Sequence, residues 1–394
     1  MRRRLRKPAL ALPLVAFVLV SFIAPILLML ARGVHQPVVR DALPETLAIL
    51  DAWDGLGVPE EAAFAAAAEE LRAADEARLA ARIGGRVNRV RSGLRTVIVA
   101  GARTGADGAG AGSARERLLA ADPAWGDPAT WRALRTAGER FTLRNYLNAL
   151  DLDRGADGAV VRQPEERRVY VPLLLRTLGV SAAVTVLCLL LGYPVAHVIA
   201  RAPARRARWL LLAVLVPFWT SLLVRTTAWI VLLQQRGVIN DLLVWLGLVD
   251  DAARLTLVYN MTGTLIAMTH VLLPFMVLPI YSVMQGIPPR FMRAAESLGA
   301  TPAQAFRRVY WPLTLPGVGA GALLVFILAI GYYITPALVG GSGGQLFSNM
   351  IAFHMETSLN WGLAAALGGI LLAVVGALYV LYERTVGGEN LRLG

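Results

Sequence analysis

A chain of 394 residues is long enough for two water-soluble domains, but a mean hydropathy of +0.55 excludes that interpretation and indicates a protein that lies largely in lipid. The formal net charge of +12 comes almost wholly from arginine, because Lys7 is the one lysine. A phosphate-binding loop of the G-x-x-x-x-G-K-[ST] type needs a lysine after its glycines, and Lys7 precedes them all. The single cysteine, Cys188, excludes an intrachain disulfide and a C-x-x-C metal or redox site.

Six apolar stretches are long enough, or nearly so, to cross a hydrocarbon core about 30 Å thick. They are residues 9–31, 177–200, 209–233, 262–284, 315–338 and 361–382. The first is longer than the apolar part of a cleaved signal peptide, so we predict a retained anchor. The sequence therefore predicts an all-α protein with six transmembrane helices.

Residues 33–169 form one long segment between the first two predicted spans. Residues 57–85 have a proline near a helix start, acidic residues in the first turn and a glycine pair at the end, which predicts one solvent-facing helix. Residues 104–113 are typical of a flexible linker, and a second, smaller structured piece is predicted over residues 122–150. A folded cap on the outer face and a poorly ordered insertion are both consistent with this pattern.

Loops rich in arginine alternate with loops that hold few. The amino terminus, residues 201–208 and residues 290–308 are basic, whereas residues 234–255 hold only Arg236 and Arg254. Because short cytoplasmic loops carry an excess of Lys and Arg, both termini are expected in the cytoplasm and residues 33–169 outside. The basic charge is thus mostly a topology signal, and we expect no nucleic-acid partner.

A polar segment, residues 290–316, stands between two apolar runs. The stretch F-M-R-A-A-E-S-L-G predicts about two helical turns that end at Gly299 in left-handed backbone. The T-P-A-Q run from Thr301 supplies an N-cap, a proline at the first helical position and a glutamine three residues after the cap. A second short helix is therefore expected, with Pro312 as its stop. Such short helices need packing against something else to be ordered.

This segment resembles the EAA loop of the membrane subunits of ABC importers of the binding-protein-dependent type, in particular the branch of spermidine and putrescine permeases. The matching positions are Ala294, Ala295, Gly299, Val309 and Pro312. Arg293 stands where the family usually has Glu, and Trp311 where it usually has Leu. Glu296 could restore the acid, because residues three apart share a helix face.

Further stretches resemble the same branch in the same order. They are FTLRNYLNAL, LCLLLGYPVAHVIA, VPFWTSLLVRTTAWIVLL, GVINDLL, LLPFMVLP and LLVFILAIGYYITPALVGG, and together they cover about residues 141–385. Residues 45–138 have no counterpart in the branch. The resemblance implies a six-helix type I importer permease of the MetI-like class, with a large helical insert in the first periplasmic loop. It implies three parts: residues 1–32 as cytoplasmic terminus and first helix, residues 33–169 as insert, and residues 170–394 as permease core.

The resemblance also implies a function and partners. The chain would move a small solute into the cytoplasm by alternating access: a polyamine such as spermidine or putrescine first, another organic solute such as an opine or amino-acid derivative next. Its partners would be an ATPase dimer that binds ATP and Mg, a second homologous permease, a periplasmic substrate-binding protein and lipid of the bacterial inner membrane. The chain itself would hold no metal, cofactor or catalytic residue. The residues implied to contact the ATPase are Arg293, Ala294, Ala295, Glu296, Gly299, Thr301, Pro302, Gln304, Arg307 and Arg308.

Polar and aromatic side chains within the spans are candidates for the transport pathway. They are Trp219, Thr220, Arg225, Thr226, Trp229, His270, Tyr332 and Tyr333. A charge such as Arg225 costs about 2.5 to 3.5 kcal/mol at mid-membrane, so it should face protein or water. It lines a pathway, or it is a strut that donates to carbonyls opened by Pro274 or Pro279. His270 is alternatively a packing residue, and the tyrosines are alternatively membrane-interface anchors.

Other classes of protein fit less well. An ion-coupled transporter usually shows an intramembrane carboxylate or paired repeat halves, and the predicted spans carry no Asp or Glu. A membrane enzyme needs a cluster of His, Asp, Glu or Cys, whereas the four histidines are scattered. An amphipathic helix on the inner leaflet, or a purely structural subunit, leaves the break at Gly299 and the cap that follows it unexplained.

Overall fold

The computed structural model describes residues 6–106, 112–154 and 159–384. The chain divides into two compact units, Met1–Leu147 and Asn148–Gly394, which are taken in turn. Half of the predicted linker at residues 104–113, namely residues 107–111, lies outside the described residues. Among the described residues, five helices are long and apolar enough to cross a membrane, and one bent helix pair raises the number to six.

The first unit begins with a long apolar helix. α1 (Arg6–Val18) continues through a π-helical turn (Leu19–Ile23) into α2 (Ala24–Val34). Residues Leu12–Val34 satisfy the length and hydropathy of a membrane span, and most of their apolar side chains are exposed. The first predicted span is therefore confirmed, shifted by three residues.

A bundle of short helices follows and forms the insert. Its elements are α3 (Val38–Ala42), α4 (Pro44–Ala52), α5 (Glu61–Glu76), α6 (Ala80–Val90), α7 (Leu94–Ala106), α8 (Ala114–Ala121), a 3₁₀ turn (Pro123–Gly126) and α9 (Pro128–Ala137). They share one hydrophobic core, in which Phe64, Trp125 and Trp131 are fully buried. The ring of Trp131 packs 4.7 Å from Phe64 and 5.1 Å from Trp125, centroid to centroid. Of the two predicted alternatives, the structure has the folded insert.

The predicted single helix over residues 57–85 is wrong. α5 ends at Glu76, and Arg78, with φ of 58°, reverses the chain into α6. The glycine pair lies inside α6 and does not end a helix. Gly84 allows a close helix contact, because a Cβ there would lie 3.0 Å from the carbonyl oxygen of Arg95 on α7.

The two ends of the insert run side by side. His35 pairs with Phe141 in an isolated antiparallel bridge. The Gln36 N–H donates to the Arg140 carbonyl at 2.8 Å, and the Thr142 N–H donates to the Val34 carbonyl at 2.9 Å. The segments that lead into and out of the insert therefore pair with each other next to the end of α2.

The second unit holds the remaining spans and a small hairpin. Its elements are the end of α10 (Arg144–Ala149), β1 (Leu152–Arg154), β2 (Val160–Arg162), a 3₁₀ turn (Glu165–Arg167), α11 (Tyr170–Arg201), α12 (Ala204–Leu215), a 3₁₀ turn (Val216–Trp219), α13 (Leu222–Leu233), α14 (Val238–Trp245), a 3₁₀ turn (Asp251–Ala253), α15 (Met261–Gln285), α16 (Arg290–Ser297), α17 (Pro302–Ala305), a π-helical turn (Phe306–Tyr310), α18 (Trp311–Gly331), α19 (Ile334–Val339), α20 (Phe347–Glu356) and α21 (Trp361–Tyr382). The strands are antiparallel, with Asp153 opposite Val161. The sequence did not predict this hairpin.

A buried carboxylate caps the first span of the second unit. Asp151 is 4% exposed, and its side chain accepts from the backbone N–H groups of Val169, Tyr170 and Val171 at 3.1, 3.0 and 2.8 Å. These donors lie at the start of α11, where free N–H groups and the helix dipole favour a negative charge. Asp151 therefore fixes where this span begins.

Helices α11, α15 and α18 form the core of the second unit. Glycines bring them close together. A Cβ at Gly321 would lie 3.0 Å from Met276 Sδ, and a Cβ at Gly317 would lie 3.0 Å from the Pro279 carbonyl oxygen. These two small residues therefore allow α18 to pack closely against α15.

The third predicted span is broken. The segments Ala204–Trp219 and Leu222–Trp245 meet at 98°. Pro217 lies in the 3₁₀ turn before the break, and Thr220 at the break has extended backbone. Proline cannot donate a helical hydrogen bond, which accounts for the interruption at this point.

The fifth span ends earlier than predicted, at Gly331 instead of residue 338. Two carbonyls near its end accept hydrogen bonds from side chains of α20. Ser348 Oγ donates to the Ile330 carbonyl at 2.6 Å, and Asn349 Nδ2 donates to the Tyr333 carbonyl at 2.9 Å. These tertiary contacts stabilise a helix end that the local sequence does not mark.

Replacing Trp131 by alanine should destabilise the insert. The change removes the centre of its core and a 2.9 Å hydrogen bond from Nε1 to the Trp125 carbonyl, and should lower the free energy of unfolding by about 3 to 5 kcal/mol. Hydrogen–deuterium exchange of the full chain should then be about a hundredfold faster or more in α5 and α9 and unchanged in α15. Leu56→Ala is the control, because Leu56 is 76% exposed. Wild-type exchange rates in Trp131→Ala would contradict the importance of this core.

Candidate functional site

The polar segment begins with α16, whose end has the predicted geometry. Gly299 has φ of +88°, so it lies in the left-handed region. The Ala300 N–H donates to the Ala295 carbonyl at 3.1 Å, and the Gly299 N–H donates to the Glu296 carbonyl at 3.0 Å. These two bonds make a Schellman motif, and the predicted helix end at Gly299 is confirmed.

A capping box starts the next helix. The Gln304 N–H donates to Thr301 Oγ1 at 3.3 Å, and the Thr301 N–H donates to Gln304 Oε1 at 3.0 Å. Pro302 occupies the first position of α17. The predicted N-terminus of this helix is therefore confirmed.

The predicted stop at Pro312 is wrong. α17 continues through the π-helical turn into α18, so Pro302–Gly331 is one helical segment of 30 residues. The Trp311 N–H donates to the Phe306 carbonyl five residues earlier, as in a π-helix. Pro312 then lies in the first turn of α18, where a missing N–H is tolerated.

One face of α16 is exposed. Arg293, Ala294 and Glu296 are exposed, and Leu298 at the tip is 90% exposed, whereas Met292 packs on the core of the second unit. Arg307 and Arg308 are also exposed, and neither forms an ion pair within the part of the chain that the structure describes. The segment therefore presents an apolar tip beside basic side chains.

An aromatic cluster joins this segment to α11. The His197 ring lies 5.7 Å from Phe306 and 5.2 Å from Tyr310, both edge to face. Tyr193 lies 4.8 Å from Trp311, and the Arg201 guanidinium lies 5.3 Å from the Tyr310 ring centre. We call these six residues the aromatic cluster.

Sequence reasoning missed this cluster. Tyr193 and His197 stand four apart and share a face of α11, a weak local signal, but their partners lie more than a hundred residues later in the chain. His197 Nδ1 is buried and has no hydrogen-bond partner among the described residues.

The pathway candidates of the third and fourth predicted spans lie at the break in the third span, on α13 and on α15. Trp229 Nε1 donates to His270 Nδ1 at 3.1 Å, which links α13 to α15. Thr226 is buried and donates to the Leu222 carbonyl of its own helix at 2.8 Å. Trp219, at the break, is 70% exposed.

Tyr332 and Tyr333 lie between α18 and α19. Tyr332 packs on the core of the second unit and Tyr333 is 39% exposed. The contact between Trp229 and His270 agrees with the packing interpretation of His270.

Arg225 lies in the first turn of α13 and bonds to its own segment. Its guanidinium donates to the Thr220 carbonyl at 2.9 Å, and its Nε donates to Thr220 Oγ1 at 3.3 Å. Of the two alternatives for Arg225, the strut therefore has a different partner from the predicted carbonyls opened by Pro274 or Pro279. The reason is the broken third span, which places a free carbonyl within reach of Arg225 itself.

His270 also lines a cavity of about 490 Å³ bounded by α11, α12 and α15. Apart from His270, its lining is apolar, with residues such as Val198, Leu210 and Pro274.

Two acidic residues between α13 and α15 are partly neutralised. Arg254 forms ion pairs with Asp241 at 2.6 Å and with Asp251 at 2.7 Å. The hydrogen bonds that Arg254 donates to the carboxylates of Asp241 and Asp251 raise the pKa of Arg254. Both aspartates are thus already paired.

Comparison with known proteins agrees with this architecture. Residues 188–385 match the family of binding-protein-dependent transport system inner membrane components. The spermidine/putrescine transport system permease protein PotB of Escherichia coli (strain K12) is 34% identical over 244 residues, which are 62% of this chain and 82% of that protein. The inner membrane ABC transporter permease protein YdcU of the same strain is 32% identical over 225 residues, 55% of this chain and 71% of that protein.

One solved structure is also similar. A bacterial ABC transporter involved in the import of the acidic polysaccharide alginate matches with a TM-score of 0.46 and 18% identity, over 57% of this chain and 81% of that chain.

The chain therefore belongs to the family of binding-protein-dependent transport system inner membrane components. It is a multi-pass permease subunit of the inner membrane. The predicted family and the predicted MetI-like all-α fold with six apolar spans are confirmed.

Replacing Arg225 by methionine tests whether this side chain stabilises the fold. The change leaves the Thr220 carbonyl without its donor at the break, and should lower the free energy of unfolding by about 1 to 3 kcal/mol. Arg225→Lys keeps one charged donor and should lose less, and Thr226→Val, on the same helix, is a control expected to stay near wild type. Thermal unfolding of the purified protein in detergent measures all three. Wild-type stability with loss of transport in Arg225→Met would instead favour the pathway interpretation.

Proposed function

We propose that this chain is the membrane subunit through which an ABC importer moves a polyamine, such as spermidine or putrescine, into the cytoplasm. The observation that carries the proposal is the exposed segment from α16 to Arg308, which is built as a helix, a glycine break and a capped second helix. Its position in the sequence agrees with that of the ATPase-contacting loop of the family. The relative PotB is a spermidine/putrescine permease subunit by name, which supports the solute.

The exposed tip is suited to a groove in another protein. Leu298 has its side chain in solvent at the end of α16, although burying such a side chain is worth about 1.5 to 3 kcal/mol. Arg307 and Arg308 lie in the turn that follows α17 and form no ion pair with any other described residue, so their charges can pair with acids of a partner. We infer that the ATPase dimer covers this surface, and that it binds the ATP and Mg²⁺.

A movement of this segment can be transmitted to the membrane spans through two connections. The first is the helical segment Pro302–Gly331, which has no break between the docking surface and the membrane. The second is the aromatic cluster, which joins the same segment to α11. A shift of the ATPase would therefore act on two core helices together, as alternating access requires.

Orientation and partners complete the proposal. The basic loops support an orientation with the docking segment and both termini in the cytoplasm and the insert in the periplasm. A second homologous permease completes the transmembrane pathway, and a periplasmic binding protein delivers the polyamine. The spans lack Asp and Glu, so we assign solute selection mainly to the binding protein.

Gly299 tests the coupling. Gly299→Val should reduce uptake about tenfold, because a left-handed conformation costs a residue with a side chain roughly 1 to 2 kcal/mol and more for a β-branched one. Gly299→Asn is the matched control: asparagine tolerates this conformation, and a Cβ at position 299 meets no atom within 4 Å. Arg307→Asp should also uncouple ATP hydrolysis from uptake, whereas Arg307→Lys should retain coupling.

The measurements are uptake by membrane vesicles, ATP hydrolysis and protein abundance in the membrane. Normal uptake in both Gly299→Val and Arg307→Asp would contradict the docking role. So would a Leu298→Cys variant that an impermeant thiol reagent labels only from the outside; the native Cys188 is buried and gives little background.

The solute is tested by transport. Cells that produce this chain with its ATPase, second permease and binding protein should take up labelled spermidine with saturation, and excess putrescine should compete. Amino acids should not compete. A complete and ATP-hydrolysing complex that takes up neither polyamine would overturn the solute while leaving the permease class intact.

A further inference from the structure

The apolar cavity between α11, α12 and α15 is not accounted for by the proposed transport. Its volume is about 490 Å³, within the range of pockets that hold a small molecule. The residues that line it include Val198, Leu210, Ala213, Pro217, His270 and Pro274. Val198 and Leu210 are 58% and 39% exposed, so the cavity has an open side.

The polar side chain in the wall is already engaged. His270 Nδ1 accepts from Trp229 Nε1, and the other lining residues are apolar. An apolar lining of this kind suits a hydrocarbon chain, and gives a hydrated polycation no polar group in exchange for its water.

Helical spacing puts basic residues on the helix faces that line this cavity. On α12, Arg206 precedes Leu210 by four residues and Ala213 by seven, so the three share a helix face. On α11, Arg201 follows Val198 by three residues and lies on the face of that lining residue. Side chains on α12 point towards its N-terminus, which directs Arg206 away from the apolar interior and towards the end of the span.

Arg206 has no charged partner in the part of the chain that the structure describes. It is exposed, and within the described residues it forms neither an ion pair nor a cation–π contact. Arg205 and Arg208 add positive charge on the same two turns of α12. A basic group at the membrane surface beside an apolar cavity matches a phosphate beside an acyl chain.

We propose that this cavity is a binding site for an anionic phospholipid, with an acyl chain against Ala213 and Pro274 and the phosphate at Arg206. The charge of the arginines excludes a polyamine here, since like charges repel. The site is independent of the direction and solute of transport, so failure of the proposed function would leave it standing.

Native mass spectrometry of the purified complex tests the site, with added phosphatidylglycerol and phosphatidylcholine in equal amounts. The wild type should retain phosphatidylglycerol in preference to phosphatidylcholine. Arg206→Gln should weaken that preference about fivefold, the factor expected for one arginine at a charged lipid surface. Arg208→Gln is the matched control: it removes the same charge from the same helix but from another face, so it should leave the preference largely unchanged.

A second variant tests the acyl chain. Ala213→Phe fills the cavity and should reduce retention of both lipids, and Arg206→Gln covers the case in which Ala213→Phe does not fold. Equal retention of the two lipids by the wild type, equal effects of Arg206→Gln and Arg208→Gln, or full retention by a folded Ala213→Phe would each overturn the proposal. A cross-link from Ala213→Cys to a partner protein would overturn it too, because protein would then fill the cavity.

Discussion

Backbone polar groups at membrane depth have no water to bind, and the breaks in the spans of this chain depend on side chains that take the place of water. Arg225 donates to the carbonyl of Thr220 where the third span bends. Ser348 donates to a carbonyl in the last turn of α18, and Asn349 donates to one just beyond its end. Without these donors, each break would leave an unpaired carbonyl, which costs several kcal/mol in hydrocarbon and about 1 to 3 kcal/mol in most protein sites.

The same constraint explains why charged residues are few within the spans and why Arg225 is tolerated. A bent span needs a donor at its bend, and arginine supplies several in a fixed geometry. Elsewhere the core is held by close packing, with Gly317 and Gly321 of α18 set against α15. Helices α11, α15 and α18 pack closely, and the segment from Pro302 to Gly331 is one continuous helix. These helices can therefore move as rigid elements without deforming.

Local chemistry was predictable from the sequence, and long-range contacts were not. The helix end at Gly299 and the capping box at Thr301 depend on residues within five positions of each other, so their patterns are legible. The path of the chain at Pro312 depends on a π-helical turn that packs against α11, and sequence reasoning therefore expected a stop there. The break at Thr220 was missed for a related reason, because its apolar flanks gave one continuous hydropathy signal.

The insert likewise has features that were predictable from the sequence and features that were not. Its helix-forming composition was evident, yet the reversal at Arg78 and the shared core around Trp131 follow from contacts between helices far apart in sequence. The backbone pairing of Gln36 with Arg140 and of Thr142 with Val34 has a consequence for how such a chain arises. Since entry and exit lie next to each other, a folded insert at this point closes the flanking chain at little entropic cost, so an insertion there is well tolerated.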